Sequence, residues 1–141
     1  MPRKPKAIVL DAWSILAYLE DEPAGRRVAD MIADAHDDGV PLMMTVVNAA
    51  EVWYIIARAA SEAEADQSLA ELAQLGIAFV DADWRLARQA ARFKSKGRLS
   101  FADCFAAALA FENKAELATG DPDFAQVEGA IKIAWLQGRV R

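Results

Sequence analysis

The chain has 141 residues, 55% of them hydrophobic and 26% charged, with 16 Lys and Arg against 21 Asp and Glu. That length suits a single domain over residues 1–141, and the apolar fraction calls for a packed core, which excludes a disordered or low-complexity chain. The formal charge of -5 excludes a generally basic nucleic-acid coat protein but leaves room for a local basic face. One cysteine, Cys104, and one histidine, His36, are too few for an internal disulfide, a Cys-rich zinc site or a two-histidine metal centre. The basic start, Met1 to Lys6, leads into an apolar run too short for a signal segment. No run approaches the ~20 apolar residues that span a membrane. The expectation is a soluble cytoplasmic protein.

In chain order, Ala7 to Leu10 reads as a buried strand that stops at Asp11, and Trp13 to Leu19 as a short helix. Pro23 opens a second helix that runs to about Asp34 and is ended by Gly39. Pro41 to Thr45 is a second strand and Val46 to Ala60 a helix. Ser61 and Glu64 have capping-box spacing at the start of the next helix, which closes at Gly76. Ile77 to Val80 is the third strand, followed by a helix from Asp83 to about Lys94. Ser100 caps a helix to Asn113, Glu116 to Thr119 is the fourth strand, and Ile131 to Leu136 supplies a fifth. Strands alternating with helices predict an α/β fold, a mostly parallel sheet covered on both faces. Its site would lie beyond the carboxyl ends of the strands, where the strand order reverses.

Acidic residues stand at those ends in apolar company. Asp11 follows the first strand, and Asp121 follows the fourth with Asp123 two residues on. Glu51 and Asp103 are each the only charge in a long apolar helical stretch. No Arg or Lys lies within four residues of Asp11, Asp103, Asp121 or Asp123, so local ion pairs are not available to these acids. Converging carboxylates raise one another's pKa unless a cation joins them, and hard oxygen ligands without His or Cys point to Mg²⁺ or Mn²⁺. Each acid also has a plain structural role open to it. Asp11 could cap the first helix, Asp103 could belong to a Ser-x-x-Asp capping box, and Asp121 could cap a short turn beginning at Pro122. Glu51 lies mid-helix with Asn48 on the same face and has no such role.

At these positions the sequence resembles the PIN-domain nucleases, and among them the VapC-like ribonuclease toxins of toxin–antitoxin pairs. The resemblance rests on Val9-Leu10-Asp11, Asn48-x-x-Glu51, Leu99-x-x-x-Asp103 and Thr119-x-Asp121-x-x-Phe124, and it spans essentially the whole chain. It implies a three-layer α/β/α sandwich with a five-stranded sheet. It also implies a metal site formed by Asp11, Glu51, Asp103 and Asp121, with Asp123 as a further, water-mediated ligand. Asn48 and Thr119 would be supporting polar residues, and the activity would be hydrolysis of RNA phosphodiesters that leaves a 5′-phosphate and a 3′-hydroxyl. Relatives of this kind are homodimers blocked by a small antitoxin protein. One departure is Trp13, where many relatives carry Ser, Thr or Asn; Ser14 could instead orient the first carboxylate or touch phosphate, and Trp13 is read as packing.

Arg85, Arg88, Arg92, Lys94, Lys96 and Arg98 form a basic strip leading into the Asp103 helix, read as the RNA contact in preference to a solvated face. Trp53, Tyr54, Met43 and Met44 are read as core or dimer surface. Two rival functions use the same residues: a non-catalytic PIN-like interaction module, and a phosphoacceptor or phosphatase domain with Asp11 as nucleophile.

Overall fold

The structure is a computed structural model and describes residues 4–137. Met1–Arg3 of the basic start therefore lie outside the described residues. Five strands, β1 (Ile8–Leu10), β2 (Leu42–Thr45), β3 (Ile77–Val80), β4 (Glu116–Thr119) and β5 (Lys132–Trp135), form one sheet in the order β3-β2-β1-β4-β5. Every pairing is parallel. The helices are α1 (Ala12–Leu19), α2 (Pro23–Asp38), α3 (Val46–Ala59), α4 (Glu62–Gln74), α5 (Trp84–Ser95) and α6 (Phe101–Asn113), and a 3₁₀ helix, Pro122–Val127, links β4 to β5.

Successive strand residues point to opposite faces, so each apolar strand feeds two cores. Val9 and Leu117 join Leu86, Ala90, Phe105 and Phe124 on the α5–α6 side. Ile8, Leu10 and Ala118 join Ile15, Val28, Val52 and Leu72 on the α1–α4 side. These two cores make the three layers that the resemblance implied. Small residues let neighbouring helices of one layer close up: a Cβ at Gly25 would strike the carbonyl of Ala17, so the start of α2 sits directly against α1.

Helix α2 runs to Asp38, a turn past the expected Asp34, because Ala35 is still buried and the chain turns only at Gly39, in the left-handed region with φ 69°. The six-residue 3₁₀ helix replaces the short turn expected after Asp121. No helix among the described residues is long and apolar enough to cross a membrane. The chain steps outward from β1 through β2 to β3, and α5 and α6 then return it to β4 on the other side of β1. The order thus reverses between β1 and β4, and the residues following those two strands are Asp11 and the Gly120–Asp121 pair.

Candidate active site

Asp11 is the N-cap of α1. Its Oδ1 accepts the backbone N–H of Ser14 at 2.8 Å and its Oδ2 accepts the Thr119 hydroxyl at 2.5 Å. The side chain is 1% exposed. Asp11 therefore fills the capping role that the sequence left open to it. Ser14 orients the carboxylate through its main-chain N–H, while its own hydroxyl donates to the Asp11 carbonyl at 2.9 Å and is fully buried. That hydroxyl is spent inside the cap and does not face a phosphate.

Glu51 and Asp103 are brought together by Asn48. The Thr45 hydroxyl caps α3 by accepting the Asn48 N–H at 3.0 Å, and it donates to Asn48 Oδ1 at 2.6 Å. Asn48 Nδ2 then donates to the carbonyl of Ala102 at 3.1 Å, fastening the first turn of α3 to that of α6. Glu51 stands one turn along α3, and Asp103 follows Ala102. The Ser100 hydroxyl accepts the Asp103 N–H at 3.2 Å, which completes the expected cap, and a hydrogen bond from Ser100 to the Asp103 side chain pulls that carboxyl down.

Thr119 ties the remaining acid to the first: while donating to Asp11 it accepts the backbone N–H of Asp121 at 3.1 Å. Asp121 Oδ1 accepts the N–H of Asp123 and so starts the 3₁₀ helix. Trp13 packs its ring on Gly120, where any Cβ would collide with it, and the Gln137 amide donates to the Gly120 carbonyl at 3.1 Å. Trp13 is thus a packing residue, and it fixes the turn that presents Asp121.

The acids act on one another. Burial pushes the Asp11 carboxyl up to about 7, against the pull of its Thr119 and Ser14 hydrogen bonds, and the charge of Asp103 adds to the rise. Asp103 is pushed up to about 6, chiefly by burial, with the charges of Asp121, Glu51 and Asp123 contributing. Glu51 is raised by burial, with the Asn48 side chain opposing. Asp103 is therefore the hub that all the other acids reach. Glu51 Oε1 is buried with no hydrogen-bond partner, an arrangement that is costly for an acceptor unless a cation or a donor arrives. The orphaned oxygen, the raised carboxyls and the all-oxygen donor set fit a hard divalent ion such as Mg²⁺ or Mn²⁺. Among the described residues no three acids stand close enough to hold an ion as placed, so this fit rests on donor chemistry and not on a closed coordination shell.

The basic strip divides. Arg85, near the start of α5, pairs with Glu112 at 3.5 Å, at the far end of α6 from Asp103. Nine residues of helix separate Asp103 from Glu112, about 13 Å at 1.5 Å per residue. The fold therefore does not bring Arg85 to the acids. Lys94 donates to the Leu99 carbonyl at 2.9 Å, bracing the loop between α5 and α6. Arg88, Arg92, Lys96 and Arg98 are exposed and make no ion pair with a described residue. Of these, Lys96 and Arg98 lie in the loop that leads into the Asp103 helix. Of the remaining aromatic and Met residues, Met44 is core, Met43 packs against the core, and Tyr54 is exposed with the Arg58 guanidinium 5.0 Å from its ring centre.

Two positioning residues escaped the sequence reading. Thr45 was legible in principle, since Thr-x-x-Asn repeats the spacing of Ser100-x-x-Asp103. Gln126, whose Oε1 accepts the Arg98 N–H at 2.9 Å, was not, because no local pattern announces a partner 28 residues away.

A family model for the PIN domain matches residues 8–130. This chain belongs to the PIN domain family. The PIN fold seen here is similar to that of VapBC2 from Rickettsia felis, solved bound to a promoter DNA fragment, with TM-score 0.71 and 11% identity over 91% of this chain and 97% of that one. It is also similar to VapC20 of Mycobacterium tuberculosis, described as a Sarcin-Ricin loop cleaving toxin, with TM-score 0.65 and 18% identity over 86% of this chain and 95% of that one. VapBC-5 of the same organism, a member of the VapBC family of toxin-antitoxin systems, has TM-score 0.61 and 25% identity over 96% of this chain and 100% of that one. No curated protein sequence matches the chain.

Proposed function

We propose that this PIN domain, taken as one unit over residues 1–141, is a divalent-metal-dependent endoribonuclease. We further propose that it is the toxin of a toxin–antitoxin pair, a homodimer held in check by a cognate antitoxin protein. The observation that carries the reading is the mutual influence of four acids from four separate elements: Asp103 feels the charges of Glu51 and Asp121 and acts on Asp11, at the sheet edge where the strand order reverses, with no cationic partner among the described residues. Similarity to a toxin described as cleaving the Sarcin-Ricin loop supports RNA as substrate, and similarity to VapBC chains supports an antitoxin partner.

Asp11, Glu51, Asp103 and Asp121 would hold Mg²⁺ or Mn²⁺, with Asp123 as an outer contact. When bound, such an ion polarises the phosphate and makes water a competent nucleophile near neutral pH. The chain's own residues do the rest. Thr119 and Ser14 hold Asp11 in one rotamer, Asn48 fixes the spacing of Glu51 and Asp103, and Trp13 on Gly120 fixes the turn bearing Asp121. Lys96 and Arg98 would take the phosphates flanking the scissile bond. Water adds to the phosphorus as the P–O3′ bond breaks and the departing 3′-oxygen takes up a proton, which leaves a 5′-phosphate on one product and a 3′-hydroxyl on the other. The test is cleavage of cellular RNA with Mg²⁺ and with EDTA, by the wild type and by Asp103→Asn. Cleavage is expected only from the wild type with metal; equal activity in all four conditions sinks the proposal.

A further inference from the structure

Beside the basic loop lies a small crevice that the acidic site does not use. It has a volume of about 230 Å³ and lies between the α5–α6 loop and the end of the 3₁₀ helix. Phe93, Leu99 and Val127 give it apolar walls, and Lys96 and Gln126 stand in its lining with Gly97. It is smaller than the ~300–1,000 Å³ pockets that enclose drug-sized ligands, which limits an occupant to a single ring system.

The polar group in this crevice is oriented. Gln126 Oε1 accepts the Arg98 N–H at 2.9 Å, and this fixes which end of the amide is which. The Nε2 donors make no hydrogen bond with a described residue and stay available. Gly97 permits the arrangement: a Cβ there would lie 3.1 Å from Gln126 Oε1 and crowd it. An apolar slot lined by the Gln126 amide and bordered by Lys96 and Arg98, which make no ion pair with a described residue, suits a flat aromatic ring that carries an acceptor edge and an attached phosphate. An unpaired nucleotide has all three features: a π-face for the walls, a ring acceptor for the amide and a phosphate for the lysine.

We infer that this crevice is a base-recognition subsite, in which Gln126 donates to the edge of one unstacked nucleobase of the RNA strand while Lys96 takes its phosphate. The inference rests on the nuclease reading for the course of the strand. It adds that the substrate is single-stranded next to the cut and that Gln126 contributes to sequence preference. The 3₁₀ helix that begins at Asp121 carries Gln126, so the subsite is physically joined to the acidic site.

The test reads binding without cleavage. Isotope-labelled full-length protein is titrated with AMP, CMP, GMP, UMP and, as a phosphate without a base, ribose 5-phosphate. Chemical shifts of the Gln126 side-chain amide and of the Gly97 and Gly129 N–H groups are followed. Nucleoside monophosphates are expected to move these signals, with unequal affinities among the four bases, and ribose 5-phosphate to bind at least tenfold more weakly. Gln126→Glu keeps the acceptor for Arg98 but removes the donor, and is expected to weaken nucleotide binding about tenfold. Lys96→Ala should weaken nucleotides and ribose 5-phosphate alike. The inference is overturned if ribose 5-phosphate matches the nucleotides, if Gln126→Glu binds them as the wild type does, or if no shift appears at millimolar nucleotide. A protein that binds bases here yet cuts no RNA would instead overturn the nuclease reading alone.

Discussion

Asp11 should make the metal-free protein less stable as pH rises, the reverse of an ordinary paired carboxylate. In the folded chain this carboxyl titrates at about 7, against 3.8 when solvated. Between those values the folded state holds a proton that the unfolded state has released. The slope of stability with pH follows the proton count of the unfolded minus the folded state, and it is negative here. The contribution is fully present below pH 4, declines through pH 4–7, and is gone above pH 7. At about 1.4 kcal/mol per pH unit, a fully buried group spanning that window is worth at most about 4 kcal/mol. That is a large share of the ~5–15 kcal/mol available to a domain of this size. Urea unfolding at half-unit steps from pH 4 to pH 8, in EDTA, gives the wild-type curve, and Asp11→Asn gives the reference with that proton removed. The variant's curve should be flatter by a few kcal/mol across the window. Repeating the wild type with Mn²⁺ should recover stability chiefly above pH 6, where the carboxylates are free to bind the ion. Parallel curves for the wild type and Asp11→Asn would refute the argument, because the titrating group would then lie elsewhere.

Further outcomes follow from the same contacts. Thr119→Val removes the strongest pull lowering the Asp11 carboxyl, so its pKa should rise further, as a carboxyl-carbon NMR titration can read; an unchanged value would show the hydroxyl does not reach it. Asn48→Ala breaks the tie between α3 and α6 at a residue with no exposure and should cost about 2 kcal/mol in urea unfolding; a loss below 0.5 kcal/mol would contradict the tie. Glu51→Gln should raise the melting temperature of the metal-free protein and shrink the gain on adding Mn²⁺, since it discharges a carboxylate whose Oε1 is buried without a partner. Removing Lys96 or Arg98 should each lower the slope of log affinity against log salt for single-stranded RNA by about 0.7, while Arg85→Ala leaves it unchanged.

Much of this architecture could be read from the chain because its punctuation is strict. Apolar strands stop at polar residues, and helices open on Asp11, Thr45, Ser61, Asp83 and Ser100, each accepting the N–H three residues on. A residue just after a parallel strand must lie at the carboxyl edge, so the place of Asp11 and Asp121 at that edge is legible from position. The basic strip shows where such reading stops. Helical spacing groups Arg85, Arg88 and Arg92, but it does not say which end of α5 faces the site, and Arg85 lies at the wrong one. Trp13 looked like a departure from the family pattern until its fit on Gly120 gave the reason. Gln126 is a surface glutamine in sequence terms, and only the return of the chain past Arg98 gives it a role.

The same helix starts explain how four acids can stand at one edge of the sheet with no ion-pair partner among the described residues. The N-termini of α1, α3 and α6 all open there, capped by Asp11, Thr45 and Ser100. Each helix start is worth roughly half a positive charge, ~1.5 in all, against as many as four carboxylates. The shortfall is between two and three charges once the acids ionise, and it adds to the burial that chiefly raises the Asp11 and Asp103 carboxyls. A single lysine could not close that gap, and on the nuclease proposal it would occupy the space that a phosphate must enter. A divalent cation closes most of it while leaving the helix starts directed at whatever anion comes next. On the nuclease proposal the sign of the site therefore changes with its load: proton-holding and acidic without metal, receptive to phosphate once the carboxylates are neutralised.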